Sequence, residues 1–288
     1  MIPAPFDYVR PTSVEEAVTA LRDGGDDAKL LAGGQSLLPV LRLRMGDPSL
    51  VIDLGGIPEL RGVREDGDMI VVGAMTTHYD VTRDDLIAQH VALIAEATKT
   101  VADPQVRHRG TLGGALAHAD PAGDLTAPAL ALGAELVIAG VGSDGGAATR
   151  TVGADDFFED YFTTALREGE ILTEIRFPKY TGWGTRYEKF NRVAQAWSIV
   201  AVAAAVKVDG GTITDARIGL TNMAGTPVRA RSVESALVGQ AATEENVRSA
   251  AQAAAEGTSP TADADAGTDY RQHLARVLTG RAVLAAAG

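Results

Sequence analysis

Cysteine is absent from the 288 residues of this chain. Its absence excludes disulfide bonds, a cysteine nucleophile and an iron–sulfur cluster held in the usual way by cysteines of this chain. It also suits a reducing cytoplasm. A chain of this length can bury a sizeable core, so we expect the fold to need no disulfide or metal for its stability.

Positive charge is also scarce, since 26 Lys and Arg residues stand against 38 Asp and Glu and leave a net charge of −12. Nucleic acid and anionic membrane surfaces are therefore poor partners for the chain as a whole. No apolar run approaches about 18 residues, and no basic segment followed by an apolar run opens the chain. We expect neither a transmembrane helix nor a secretory signal.

A mixed pattern of strands and helices covers residues 1–178, and a shift in composition follows. Ser13 and Glu16 form the signature of a helix start, ahead of apolar residues at helical spacing. After a linker, three segments predict antiparallel strands, the last two joined by a turn at 209–211. The predicted fold is α+β, with α/β subdomains at 1–55 and 56–178. A smaller domain at 184–288 would contain a three-stranded antiparallel sheet and a helical bundle.

Two glycine-rich segments stand out, Ala32-Gly33-Gly34-Gln35-Ser36-Leu37 after a short apolar strand and Thr111-Leu112-Gly113-Gly114-Ala115 within a long aperiodic stretch. Paired glycines let backbone N–H groups approach an anion, and a following helix N-terminus favours negative charge. Neither segment is a G-x-G-x-x-G or Walker motif. The pattern therefore predicts a phosphate or dinucleotide site, with two tight turns as the alternative.

Polar residues follow the second glycine segment closely. Asp124 is expected to cap the next helix and to accept hydrogen bonds from ribose or ribityl hydroxyls. His118 is the one histidine beside this loop, and no pair of histidines has a metal-binding spacing. Trp183 and Trp197 could stack on a planar ring, but packing is the expected role of each.

At these residues the chain resembles the FAD-binding medium subunits of the molybdenum hydroxylases, most closely those of aerobic carbon monoxide dehydrogenases. The resemblance covers nearly the whole chain. It is carried by the two glycine segments and by Phe6-Asp7-Tyr8, Gly73-Ala74-Met75-Thr76-Thr77, Ala102-Asp103-Pro104-Gln105-Val106-Arg107, Asp120-Pro121, Tyr187-Glu188-Lys189 and Gly219-Leu220-Thr221-Asn222.

This resemblance implies a PCMH-type fold in which the pyrophosphate of FAD lies on the two glycine loops. Asp124 would hold the ribose or ribityl part, and Leu172 would contact the flavin or adenine through its backbone. Tyr187 and Lys189 would cover the isoalloxazine side. The implied FAD-binding residues are Ala32, Gly33, Gly34, Gln35, Ser36, Leu37, Thr111, Gly113, Gly114, Ala115, His118, Gly123, Asp124, Leu172, Tyr187 and Lys189. No catalytic residue and no metal ligand is expected in this chain.

The resemblance also implies an electron-transfer subunit. A large subunit would carry the molybdenum cofactor and a small subunit two [2Fe–2S] clusters, and electrons would leave FAD for a quinone or a similar acceptor. The assembly would be a dimer of heterotrimers in the cytoplasm, where the complex could associate peripherally with the inner face of the membrane. A hydroxylase for an aldehyde, a purine or an N-heteroaromatic is the alternative function. A stand-alone FAD oxidase or a binding module is the alternative from another class.

Two positions depart from the family pattern. Many relatives have His where Gln35 stands, and many have Asn or Ser where Ala115 stands. Gln35 can still donate a hydrogen bond, whereas the side chain of Ala115 cannot. We therefore expect FAD binding to survive, with one polar contact passing to backbone or water.

Overall fold

The computed structural model describes residues 2–142 and 147–288. The chain begins with a parallel sheet in the order β1-β3-β2. Its elements are β1 Asp7–Val9, α1 Val14–Gly24, β2 Ala28–Leu31, α2 Leu37–Arg42 and β3 Leu50–Asp53. Ser13 caps α1 by accepting a hydrogen bond from the N–H of Glu16, as predicted. The carboxylate of Glu16 accepts a hydrogen bond from the N–H of Thr12. In a standard capping box it would accept from the N–H of the N-cap residue, here Ser13.

An antiparallel sheet in the order β4-β5-β10-β6-β7 forms the second unit. The strands of this unit are β4 Val63–Asp66, β5 Met69–Gly73, β6 Glu135–Val141, β7 Ala147–Gly153 and β10 Ile171–Pro178, with the small pair β8 Phe158–Asp160 and β9 Thr163–Thr164 beside them. The helices are α3 His78–Val81, α4 Asp85–His90, α5 Ala92–Lys99, α6 Pro104–Arg107, α7 Leu112–His118, α8 Thr126–Ala131 and α9 Ala154–Phe157.

Two sequence-based expectations for this second unit are wrong in detail. The sequence pattern over residues 85–98 predicts a single helix, but the structure interrupts it at Val91, whose φ of −140° and ψ of 44° are not helical. The stretch expected to be aperiodic contains α6 and α7. Helices of four and seven residues are too short to show a hydrophobic period.

The C-terminal unit is an antiparallel sheet in the order β11-β12-β13-β14, covered by helices. Its elements are β11 Gly184–Phe190, β12 Val200–Asp209, β13 Thr212–Thr221, β14 Val228–Arg229, α10 Arg231–Leu237, α11 Glu244–Ala251 and α12 Thr268–Ala287. The α+β organisation is confirmed, but the predicted three-stranded sheet has a fourth strand, β14, of only two residues. No helix in the described part of the chain combines the length and the apolar character needed to cross a bilayer.

Strand β12 is shared by two hydrophobic cores. Ala201, Ala203 and Ala205 pack into the core of the second unit, whereas Val202, Ala204 and the other residues of that parity pack under the C-terminal helices. A strand that is buried on both faces has a continuous apolar sequence rather than an alternating one. This explains why the alanine-rich run at residues 201–206 forms a strand. Because its two faces belong to different cores, β12 packs the C-terminal unit directly against the rest of the molecule.

Candidate functional site

The first glycine loop begins where β2 ends. Gly34 has a φ of +76°, a conformation that glycine adopts without steric cost. The side-chain amide of Gln35 folds back and donates to the carbonyl of Gly33 at 3.0 Å. Within the described part of the chain, the backbone N–H groups of residues 33–37 donate to no other residue. Consecutive N–H groups without acceptors form a concave site for an anion.

The second glycine loop uses its N–H groups inside the protein. Those of Leu112 and Gly113 donate to the carbonyls of Thr76 and Ala74, at 3.0 and 2.9 Å. The N–H of Gly114 donates to the hydroxyl of Thr111 at 3.1 Å, which caps α7. A Cβ on Gly113 would lie 2.5 Å from the Cβ of Ala74, so this glycine permits close packing. The sequence predicts that both loops offer backbone N–H groups to a ligand. In the structure only the first loop has a row of N–H groups without a protein acceptor in the described part of the chain.

The two loops touch each other and face one cavity. A Cβ on Gly33 would lie 2.2 Å from the carbonyl oxygen of Arg109. The cavity has a volume of about 600 Å³, within the range of small-molecule sites. The predicted residues that line it are Ala32, Gly33, Gly34, Gln35, Ser36, Leu37, Thr111, Gly113, Gly114, Ala115, His118, Gly123, Asp124 and Leu172. The structure thus brings together residues from β2, α7 and β10 that are far apart in the sequence.

Tyr187 and Lys189 are not among the residues that line the cavity; they contact Asp124. The hydroxyls of Tyr187 and Ser198 donate to Oδ1 of Asp124, each at 2.9 Å, and the ammonium of Lys189 donates to Oδ2 at 2.8 Å. The expected capping role of Asp124 is wrong, because Leu125 occupies the N-cap of α8 and Asp124 turns toward β11.

Burial dominates the electrostatics of this cluster. It raises the pKa of the Asp124 carboxyl, and the neighbouring ammonium of Lys189 opposes that rise. Burial also raises the pKa of the Tyr187 phenol well above 10, and the adjacent Asp124 adds to the effect. Tyr187 therefore remains a hydrogen-bond donor at physiological pH. The cluster holds the carboxylate in one orientation at the cavity wall.

Sequence reasoning missed His78 as a residue of the cavity wall. His78 follows the Gly73–Thr77 motif that was noted, but no spacing marked its side chain. Burial lowers the pKa of His78 to about 4, so the imidazole is neutral near pH 7. Its Nδ1 is buried, and it has no hydrogen-bond partner in the described part of the chain.

The two tryptophans have different environments. Trp183 packs against the core and meets Tyr180 edge-on, with ring centroids 4.8 Å apart. Trp197 is 68% exposed and lines the cavity together with Gln195 and Ala196. The expectation of a packing role is correct for Trp183 and wrong for Trp197.

Comparison with protein families decides which class of site this is. The model for the FAD binding domain in molybdopterin dehydrogenase matches residues 4–180, and the model for the CO dehydrogenase flavoprotein C-terminal domain matches residues 185–286. The chain belongs to the FAD-binding medium subunits of the molybdenum hydroxylases.

Characterised relatives and solved structures are similar to the chain over nearly its whole length. It is 43% identical to the carbon monoxide dehydrogenase medium chain of Hydrogenophaga pseudoflava, over 99% of this chain and 98% of that one. The structure of reconstituted CO dehydrogenase from Oligotropha carboxidovorans matches with a TM-score of 0.94 at 39% identity, covering 100% of this chain and 99% of that one. Quinoline 2-oxidoreductase from Pseudomonas putida 86 matches with a TM-score of 0.93 at 35% identity, covering 100% and 98%.

The wall of the cavity fits the chemistry of FAD. The free N–H groups of residues 33–37 suit the pyrophosphate, since they offer donors without a competing protein acceptor. Apolar side chains such as Met75, Leu125 and Leu172 suit the faces of a planar ring. Asp124 accepts three hydrogen bonds from the protein and keeps acceptor capacity for a hydroxyl.

Proposed function

We propose that this chain binds FAD and serves as the electron-transfer subunit of a molybdenum-containing hydroxylase that oxidises carbon monoxide. The cavity in which the two glycine loops meet carries this proposal. Similarity over 99% of the chain to a carbon monoxide dehydrogenase medium chain supports the choice of substrate.

In this proposal each part of the wall has a role toward FAD. The first loop binds the pyrophosphate through its free N–H groups, and Asp124 accepts a hydrogen bond from a ribose or ribityl hydroxyl. Tyr187 and Lys189 act through Asp124, whose carboxylate they orient. Leu172, His118 and Trp197 enclose the flavin nucleotide and exclude water. Bound FAD supplies the redox chemistry, so this chain needs no acid–base residue of its own.

The two departures from the family pattern fit this proposal. Gln35 stabilises the first loop from within, by donating to the carbonyl of Gly33. Ala115 donates its N–H to the carbonyl of Thr111 and has no polar side-chain atom to offer. We therefore expect FAD binding to depend on the first loop more than on position 115.

The proposed partners are a large subunit with the molybdenum cofactor and a small subunit with two [2Fe–2S] clusters. A chain without cysteine leaves cluster ligation to another subunit. Electrons would pass from the clusters to FAD and then to a quinone or a similar acceptor. We further propose a dimer of heterotrimers located in the cytoplasm, where the complex could associate peripherally with the inner face of the membrane.

A hydroxylase for another substrate is the second candidate. The match to quinoline 2-oxidoreductase, with a TM-score of 0.93, favours this candidate for an N-heteroaromatic. The cavity described here would hold FAD in either case. The substrate would bind in the large subunit, so the same flavin site serves both candidates.

Flavin and metal analysis of the protein purified from its native host tests the proposal. We expect one FAD per chain together with molybdenum and iron, and carbon monoxide-dependent reduction of a quinone analogue. Oxidation of quinoline or an aldehyde without carbon monoxide oxidation would move the assignment to the second candidate. An active flavoprotein without molybdenum or iron would instead point to a stand-alone oxidase, and a protein that takes up no FAD would point to a binding module.

A further inference from the structure

Asn222 lies where the C-terminal unit meets the rest of the molecule, directly after β13. Its φ of +61° is in the left-handed region, which asparagine adopts more readily than most residues. Its backbone N–H donates to the carbonyl of Pro121 at 2.9 Å. Its side-chain amide donates to the carbonyls of Ser198 and Ile199, at 2.8 and 3.3 Å. Asn222 therefore bonds to two segments that are distant in the sequence.

These two segments form adjoining parts of the cavity wall. Pro121 belongs to the turn between Asp120 and Asp124, and both of these residues line the cavity. Ser198 directly follows Trp197, which also lines it. The hydroxyl of Ser198 donates to Asp124 at 2.9 Å. Asn222 is not among the lining residues, so it can affect a ligand only by placing the segments that are.

The segment at Ser198 is also anchored from the other side. The carbonyl of Ile199 accepts a hydrogen bond from the guanidinium of Arg271, a buried residue of α12. Asp263 pairs with the same guanidinium at 2.5 Å. Arg271 thus fixes the segment to the C-terminal helices, whereas Asn222 joins it to the turn at Pro121.

We propose that Asn222 is a positioning residue of the FAD site. It fixes the distance between the Gln195–Trp197 segment and the Asp120–Asp124 turn, which form two parts of the cavity wall. This inference rests on the proposed function, because its measurable effect is on FAD. Loss of the bridge leaves the hydrogen bond from Ser198 to Asp124 as the direct link between the two wall segments, so the distance between Asp124 and Trp197 is fixed less firmly and FAD binds more weakly.

Two substitutions test the side-chain amide of Asn222 while keeping its backbone hydrogen bond to Pro121. Asn222→Asp keeps the shape but replaces a donor by a carboxylate that faces two carbonyl oxygens. Asn222→Gly keeps the left-handed backbone and its bond to Pro121, and removes only the amide. Asn246→Asp is the matched control, since the amide of Asn246 also donates to a backbone carbonyl, that of Ala241 at 3.0 Å, on exposed surface away from the cavity.

The variants are purified from the native host with any partner subunits, and FAD affinity and the visible circular dichroism of bound flavin are measured. We expect the Kd for FAD to rise about tenfold in Asn222→Asp and about threefold in Asn222→Gly, as expected for the loss of one or two hydrogen bonds. The flavin dichroism should change in both. Asn246→Asp should match the wild type in both measurements.

Wild-type affinity and dichroism in both Asn222 variants, even with a lower melting temperature, would overturn the inference and leave Asn222 a purely structural residue. The proposed function would stand in that case, because the wild-type protein would still bind FAD. A wild-type protein that binds no FAD would overturn the proposed function and this inference with it.

Discussion

In the first glycine loop, the N–H groups of residues 33–37 have no acceptor in the described part of the chain, whereas in the second those of residues 112–115 are all bonded within the protein. Both loops have a glycine that a Cβ would force into a neighbour, at Gly33 and Gly113. A pair of glycines therefore signals a close approach, but it does not reveal whether a ligand or the protein itself approaches.

This difference assigns separate tasks to the two sides of the cavity. The side formed by the second loop, His78 and Asp124 is a scaffold whose contacts exist without a ligand. The first loop instead presents backbone N–H groups that can donate to a bound ligand. Changes on the scaffold should therefore lower the stability of the FAD-free protein, and changes to the exposed side chains of the first loop should mainly weaken FAD binding.

The largest effect is expected for Asp124→Ala. The substitution leaves the ammonium of Lys189, whose side chain is only 7% exposed, without its carboxylate partner. An unpaired buried charge costs about 3–5 kcal/mol. Urea unfolding of the FAD-free protein measures the loss. Adding Lys189→Met should recover part of it, and a double variant as unstable as the sum of the two single ones would exclude the ion pair as the cause.

A smaller effect is expected on acidification, through His78. Burial lowers the pKa of this imidazole from 6.5 to about 4. The folded protein therefore binds fewer protons than the unfolded chain between these values. Stability from this group is complete above pH 6.5 and is lost as the pH falls toward 4, by about 3 kcal/mol. Unfolding free energies measured against pH should show this loss in the wild type, and the slope should be shallower in His78→Gln. Equal slopes would contradict the assignment.

Gly113→Ala tests the packing of the second loop. The added Cβ would meet the Cβ and backbone of Ala74 at 2.5–2.7 Å, and such overpacking costs about 1–3 kcal/mol. Thermal unfolding without FAD should detect the loss. Gly153→Ala is the control, because a Cβ there has no neighbour within 4 Å. An unchanged unfolding temperature in Gly113→Ala would mean that the second loop is not part of the scaffold.

Gln35→Glu should have the smallest effect, and only on the ligand. A carboxylate on the exposed first loop repels the pyrophosphate and competes for the free N–H groups. We expect about tenfold weaker FAD binding, which corresponds to about 1.4 kcal/mol. The unfolding temperature of the FAD-free protein should change little, because the hydrogen bond to Gly33 that is lost lies on an exposed loop. Flavin fluorescence titration measures the affinity. Gln252→Glu adds the same charge elsewhere on the surface and should leave the affinity unchanged; equal affinities for all three proteins would refute the role of the first loop.

Local patterns in the sequence predict much of this fold. Ser13 marks a helix start, and the turn at 209–211 identifies the alanine-rich run as a strand, because these signals depend on neighbouring residues only. Strand β14 escapes prediction because two residues carry no period.

The sequence predicts most of the residues that line the candidate site, but it does not predict which of them contact each other. The glycines, Asp124 and Leu172, which the resemblance implies as FAD contacts, line the cavity, and their binding of FAD stays a prediction. The partners of Asp124 could not be inferred from residues near it, because Tyr187 and Ser198 lie 63 and 74 positions away. The sequence near a glycine also does not show whether its N–H group has a protein acceptor. The acceptor of Gly113, for example, is the carbonyl of Ala74, which lies far away in the sequence. Tertiary contacts decided both.

The position of α12 has a consequence for biosynthesis. A Cβ on Gly184, at the start of β11, would lie 1.8 Å from the carbonyl oxygen of Ala286 near the end of this helix. The helix also packs on β12, the strand that follows Ser198. Domains made first on the ribosome tend to fold first. The sheets of residues 7–178 are therefore expected to begin forming during translation. Tyr187 and Ser198, the partners of Asp124, are expected to settle only after α12 has packed on β11 and β12. We expect flavin uptake to be a late, post-translational event for this chain.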